Sequence, residues 1–402
     1  MTGRPTTTPK SRRRPSRATG PAAPGSRHEA VDIDVLLADP ATEIIVCCGS
    51  GGVGKTTTSA ALALRAAEQG RQVCVLTIDP ARRLAQSMGL TELDNVPRPV
   101  DGVDDTKGGC LDAMMLDMKR TFDEVVESHS TPEKAQQILA NPFYVTLSSS
   151  FAGTQEYMAM EKLGQLHAEA VENARRWDLI VVDTPPSRSA LDFLDAPERL
   201  SRFLDGRFIR LLLVPVKGPA RLMTAGLGLI THTLTRILGA QVLRDMQTFV
   251  AAFDTLFGGF RARAESTFAL LQADRTAFLV VAAPEPDALR EAAYFVERLG
   301  EDEMPLAGLV VNRASPAPQG SLSPDEATAA ATRLRQREPD STTAGLLRLH
   351  ADRSRLVERE AGLRARFAAA HPTVPTVVVP ALAGDVHDLD GLRHVGELLS
   401  GT

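Results

Sequence analysis

Apolar residues along this chain come in short unbroken runs separated by longer stretches of helical periodicity. "EIIVCC" (43–48), "QVCVLTID" (72–79), "WDLIVVD" (177–183), "AFLVVAA" (277–283), "LAGLVVN" (306–312) and "PTVVVP" (375–380) are rich in Val, Ile and Leu and nearly free of charge. Runs of that length, apolar at consecutive rather than alternate positions, predict strands buried on both faces. Between the first two, "TTSAALALRAAEQG" (57–70) reads as an amphipathic helix closed by Gly70. Strands alternating with helices predict an α/β fold with a mostly parallel sheet flanked by helices, where ligands bind beyond the carboxyl ends of the strands. No internal repeat is visible, so two fused copies of the fold are not expected.

The junction between the first strand and its helix carries chemistry. "GSGGVGKT" (49–56) matches the eight-residue pattern in which backbone N–H groups cradle phosphates, the lysine reaches the outer phosphates and the hydroxyl ligates magnesium. Glycines let the chain turn with positive φ and bring its amides close to an anion, while the following helix offers its positive end. The expected nucleotide-binding set is Gly49, Gly51, Gly52, Val53, Gly54, Lys55, Thr56 and Thr57, with Lys55 catalytic and Thr56 a ligand of Mg2+. Asp79 and Asp183 each close a predicted strand. A lone aspartate at such a place is ordinarily a cap or turn residue. Two of them in a chain with this loop are candidate catalytic groups, one to orient or deprotonate a water and another to hold magnesium through its water shell.

Composition narrows the classes. With 402 residues, 43% hydrophobic and 24% charged, the chain is an ordinary globular protein with ample core. No run approaches the roughly 18 apolar residues of a membrane span and the N-terminus lacks a secretory apolar stretch, so a cytoplasmic protein is expected. The four cysteines show no CxxC spacing, and Cys47, Cys48 and Cys74 fall in predicted strands, which makes them core residues. The first 27 residues hold seven basic and no acidic side chains and are too polar and Pro-rich to build a core. Without those charges the net of −5 becomes about −12, so a nucleic-acid-binding surface on the body is not expected.

The set "GGVGKTT", "DPARRLAQSMG", "VVDTPPS", "PEPDALRE", "VVN" and "VPALAGDVHDLDGL" resembles the arsenical pump-driving and tail-anchored-protein-targeting ATPases, within the deviant Walker A class. The resemblance covers about residues 43–400, and "AGTQEYMAMEKL" (152–163) looks similar to bacterial members. It implies that the nucleotide is ATP, and a P-loop ATPase acting as a homodimer, or as a heterodimer with a paralogue, in which hydrolysis opens and closes a surface for a client, among them hydrophobic or membrane-protein clients. It also implies roles for single residues: Asp79 the water-activating aspartate of a first switch, Asp183 the start of a second, Asn312 the adenine-reading asparagine, and Pro380 part of a late loop near the base. The expected domain division is a disordered basic tail over 1–28 and one ATPase domain over 29–402, with a helical subdomain at about 190–275.

Departures from that family pattern define the questions. Ser50 stands where the family has a lysine that crosses the dimer, and a serine is uncharged and several ångströms too short. Ser189 and Arg188 replace a histidine and a glycine of the second switch, and neither a zinc-binding CxxC nor an arsenite-binding cysteine set is recognisable. An arginine in cis, from Arg82, Arg83 or Arg188, is one substitute for the missing charge. A partner subunit that keeps its lysine is the other, and the chain would then be a weakly hydrolysing regulatory subunit. A partitioning ATPase on DNA or membrane is a third class, opposed by the acidic body and the acidic C-terminal segment. Within about 190–275, Phe249, Phe253, Phe257 and Phe260 form one apolar stripe, ordinarily core, but also suited to a client groove with Met223 and Met246 as adaptable lining. Residues 314–345 read as loop, short helix and loop, and 346–371 as a long solvent-facing helix.

Overall fold

The computed structural model describes residues 31–78, 83–90, 93–142, 144–145, 154–172, 176–185, 262–320 and 322–401. Eight strands are found among them: β1 (Ile44–Cys48), β2 (Gln72–Thr77), β3 (Arg98–Pro99), β4 (Cys110–Met115), β5 (Leu179–Asp183), β6 (Thr276–Ala282), β7 (Leu306–Ala314) and β8 (Thr376–Pro380). They form one sheet in the order β3-β4-β2-β5-β1-β6-β7-β8. All neighbours pair in parallel except β3 with β4. This is the α/β architecture of a P-loop NTPase, and β1 lies between β5 and β6.

The apolar runs of β1, β5 and β6 have the cause that the pattern predicted, whereas β8, at the edge of the sheet, is not buried on both faces and buries only Val379. Every residue of β1, β5 and β6 is buried, because side chains alternate between two faces and both faces are covered. Ile44, Val46 and Cys48 enter one core with Phe278, Val280 and Trp177. Ile45 and Cys47 enter the other, formed with Leu62, Leu64 and Leu392. The second core lies under helix α2 (Lys55–Glu68), which begins directly after the glycine loop, and under the C-terminal helix Leu389–Ser400. The small residues Ala60, Ala61, Ala63, Ala66 and Ala67 let α2 sit close to the sheet. Its end is held by Asp34 of helix α1 (Ile33–Ala38), which accepts from Arg65 at 2.6 and 2.8 Å and from Gln69 at 3.0 Å.

Two strands, β3 and β4, lie outside the predicted runs. In β4 the run "CLDAMM" is broken by Asp112, whose carboxylate accepts from the Trp177 indole at 2.9 Å and from Arg176 at 3.4 Å. The region 314–345 holds a fourteen-residue helix, Pro324–Arg337, started by a Ser323/Glu326 capping box. The next helix runs from Thr342 to Ala370, four residues earlier than predicted. It exposes Leu346, Leu349 and Leu356 and buries Ala344, Ala351, Glu360 and Phe367. The basic tail, the aromatic stripe Phe249–Phe260, Met223 and Met246 lie outside the described residues, and of the 190–275 subdomain the helical stretch 262–272 is described.

Candidate functional site

The glycine loop leaves the carboxyl end of β1 and turns into α2, and two glycines there are required by geometry. Gly49 has φ of 148°, and a Cβ on it would lie 2.0 Å from the Val281 carbonyl oxygen of β6. Gly54, with φ of 95°, would place a Cβ 2.2 Å from the Asn312 side-chain nitrogen. Gly51 and Gly52 are exposed and Val53 is buried. Lys55 folds back over the loop, its Nζ donating to the Gly49 carbonyl at 2.9 Å and the Ser50 carbonyl at 2.8 Å, and it is 5% exposed. A cation held on its own loop's carbonyls is poised to exchange them for phosphate oxygens, which are stronger acceptors.

Beside it, Asp183 at the end of β5 is fully buried and its Oδ2 accepts two hydroxyl protons, from Thr56 at 2.8 Å and from Thr77 at 2.9 Å. The ends of two strands are thereby tied to the start of α2, since Thr77 ends β2, Asp183 ends β5 and Thr56 lies in the first turn of α2. Thr56 spends its proton on Asp183, so its oxygen lone pairs are the part left for a cation. A hydroxyl and a carboxylate are hard oxygen donors of the kind magnesium takes. The expected Thr56 and Asp183 pair is therefore together, and Thr57 lies partly exposed in the first turn of α2. Asp79, Arg82, Arg188 and Ser189 lie outside the described residues, as does the side chain of Arg83. The approach to Asp79 is described: the Ile78 N–H donates to the Asp183 carbonyl at 2.9 Å, holding the end of β2 against the end of β5.

On the other side of β1, beyond β6, the side chain of Asn312 of β7 reaches the glycine loop. Asn312 donates from Nδ2 to the Val53 carbonyl at 2.9 Å, so this side chain braces the glycine loop. Pro380 ends β8 opposite Ala314 of β7, and the Ala381 N–H donates to the Ala314 carbonyl at 2.8 Å. Ser50 is 8% exposed, and its carbonyl carries one of the two Lys55 contacts.

Sequence reasoning missed three groups. Thr77 was visible as a polar residue inside an apolar run. Arg313 follows the "VVN" motif directly and reaches the Gly52 carbonyl from Nη1 at 2.9 Å. Thr184 follows Asp183 and donates its hydroxyl to the Cys47 carbonyl at 2.8 Å. The cysteines next to the loop are chemically quiet: burial pushes the Cys47 thiol up to about 12 and raises Cys48 further.

The sequence pattern of the family described as "Anion-transporting ATPase" matches residues 42–336. The chain is 23% identical over 364 residues to "ATPase BagA" of Mycobacterium tuberculosis, covering 88% of this chain and 91% of that protein. It is 24% identical over 286 residues to "ATPase get3" of Schizosaccharomyces japonicus, covering 70% and 77%. To an "ATPase ASNA1 homolog" of Cryptosporidium parvum it is 27% identical over 265 residues, covering 66% and 63%.

Proposed function

Because this chain belongs to the anion-transporting ATPase family, and is an ATPase, we propose that it hydrolyses ATP with Mg2+ at the glycine loop and that turnover drives rearrangement of a dimer that handles a client. The observation that supports the reading best is the bridge from Thr56 through Asp183 to Thr77, beside a Lys55 amine placed on loop carbonyls. In this reading the N–H groups of the loop, together with Gly49, Gly51, Gly52 and Gly54, bind the phosphates, and Lys55 leaves its own carbonyls for the outer phosphate. Thr56, and Asp183 through water, would hold Mg2+. That ion, when bound, neutralises charge on the phosphate oxygens. Asp79 orients the attacking water, and Asn312 and Pro380 lie on the side of the loop assigned to the base. No helix among the described residues is long and apolar enough to cross a membrane, in keeping with a cytoplasmic ATPase that meets a membrane-protein client from outside the bilayer.

A second reading is supported by Ser50. A chain without the crossing lysine would bind ATP and wait for the lysine of a paralogous subunit. Steady-state ATP turnover of the full chain, measured over a range of protein concentrations against Lys55→Ala, separates the two. Turnover that rises per chain with concentration and falls about 100-fold or more in Lys55→Ala is the result expected of a self-sufficient dimer. Tight ATP binding with turnover no higher than that variant's supports the heterodimer and sinks the first reading.

A further inference from the structure

The end of β7 is irregular in three ways at one place. Arg313 has φ of 59°, a left-handed conformation that a residue with a side chain rarely adopts. The pairing of β7 with β8 shifts register between Val311 and Ala314, which takes Asn312 and Arg313 out of the regular ladder. Both side chains then turn to the glycine loop, Arg313 Nη1 to the Gly52 carbonyl and Asn312 Nδ2 to the Val53 carbonyl, each at 2.9 Å. The Arg313 N–H in turn donates to Asn312 Oδ1 at 2.9 Å and fixes the amide's orientation.

The segment is held from outside as well. Immediately after Arg313, Ala314 accepts from the Ala381 N–H, and Ser315 donates its N–H and hydroxyl to the buried Glu360 carboxylate at 2.8 and 2.7 Å. Such strain persists where surrounding contacts over-determine the backbone, and it concentrates at ligand sites. In a planar trans peptide the C=O and the following N–H point in opposite directions. Holding the Gly52 and Val53 carbonyls toward β7 therefore sets the Val53 and Gly54 N–H groups the other way.

We propose that Arg313 is a positioning residue of the nucleotide site, a side chain that pins the glycine loop so that its N–H groups face the phosphates. It also brings a permanent positive charge to a loop that has Ser50 where a lysine is expected. This rests on the reading of the loop as the ATP site. Its test is equilibrium binding of a non-hydrolysable ATP analogue with Mg2+ to the full chain, beside Arg313→Gly, Arg313→Lys and Lys55→Ala, with a thermal melt of each. Glycine relieves the positive φ, so Arg313→Gly is expected to melt no lower than wild type yet to bind about tenfold more weakly, as for a lost charged hydrogen bond. Arg313→Lys, which keeps a charge and a donor, is expected to recover part of that affinity. Binding by Arg313→Gly within twofold of wild type, while Lys55→Ala loses it, overturns this proposal and leaves the ATP site intact. Absence of binding by wild type overturns both. Should Arg313→Gly unfold, wild-type affinity in a folded Arg313→Ala variant would be equally decisive against it.

Discussion

Asp183 lies among the apolar ends of three strands, and a carboxylate there needs donors because burial without them is costly. Thr77 supplies one of the two hydroxyl contacts to Oδ2 and is joined through Asp183 to Thr56 of the phosphate-loop motif. Thr77→Val keeps the shape and removes the donor. The expected loss is about 1.5 kcal/mol of stability, the lower end for a hydrogen bond to a charged group, together with a turnover several-fold lower because Asp183 is less firmly placed. Urea unfolding and ATP turnover check this, and an unchanged midpoint would show that Thr77 is a bystander. "VLTID" already pointed to a polar residue inside a buried run. It did not say that the threonine and the aspartate of a strand about a hundred residues later would meet, because register between β2 and β5 pairs Thr77 with Asp183 and register is a tertiary matter.

Elements are positioned by a few long polar side chains at the amino edge of the sheet. Arg71 is buried and donates to the carbonyls of Leu37, Asp39, Thr42 and Asp178 and to the Asp178 carboxylate, joining α1, β1, β2 and the entry to β5. Its removal in Arg71→Ala strands several acceptors at once, with an expected cost of about 3 kcal/mol in chemical denaturation. The link between α1 and α2 depends on pH. The Arg65 guanidinium, whose hydrogen bond outweighs the opposing effect of partial burial, holds the Asp34 carboxyl below the ordinary aspartate range, with Gln69 adding to it. A depressed carboxyl contributes stability that is fully present above the unfolded value of about 3.9. That contribution fades as pH falls through the lowered folded value. Asp34→Asn should therefore be less stable than wild type at pH 6, with the gap closing as acid is added below about pH 4. Melting temperatures of the two proteins across that range provide the check, and parallel curves would count against it.

Over the whole molecule, three of the four cysteines report on the core. Cys47, Cys48 and Cys74 are buried in β1 and β2, with burial as the main cause of their raised thiol pKa, whereas Cys110 is exposed at the start of β4 and donates to Gln72 at 2.8 Å. Burial and the nearby Asp112 carboxylate raise Cys110 as well, so its labelling is slower than a free thiol's but needs no unfolding. With maleimide at neutral pH, one thiol per native chain is expected to react first, and the other three at the rate of global unfolding. Two or more thiols reacting quickly and together would mean that the sheet opens locally.

The chain by itself determined the strands β1, β2 and β5 to β8, the glycine loop and the residue types around it, since short apolar runs and phosphate-loop chemistry each leave a local pattern. The tertiary structure decided which strand ends meet. It added β3 and β4, whose pattern the polar Asp112 and Arg98 obscure. It also turned Asn312 and Arg313 onto the glycine loop through a register shift and a positive φ that no spacing rule contains. Groups some 260 positions apart come together because parallel pairing sets β6 beside β1 and β7 beside β6. That adjacency is a property of the sheet, and no short stretch of the chain carries it.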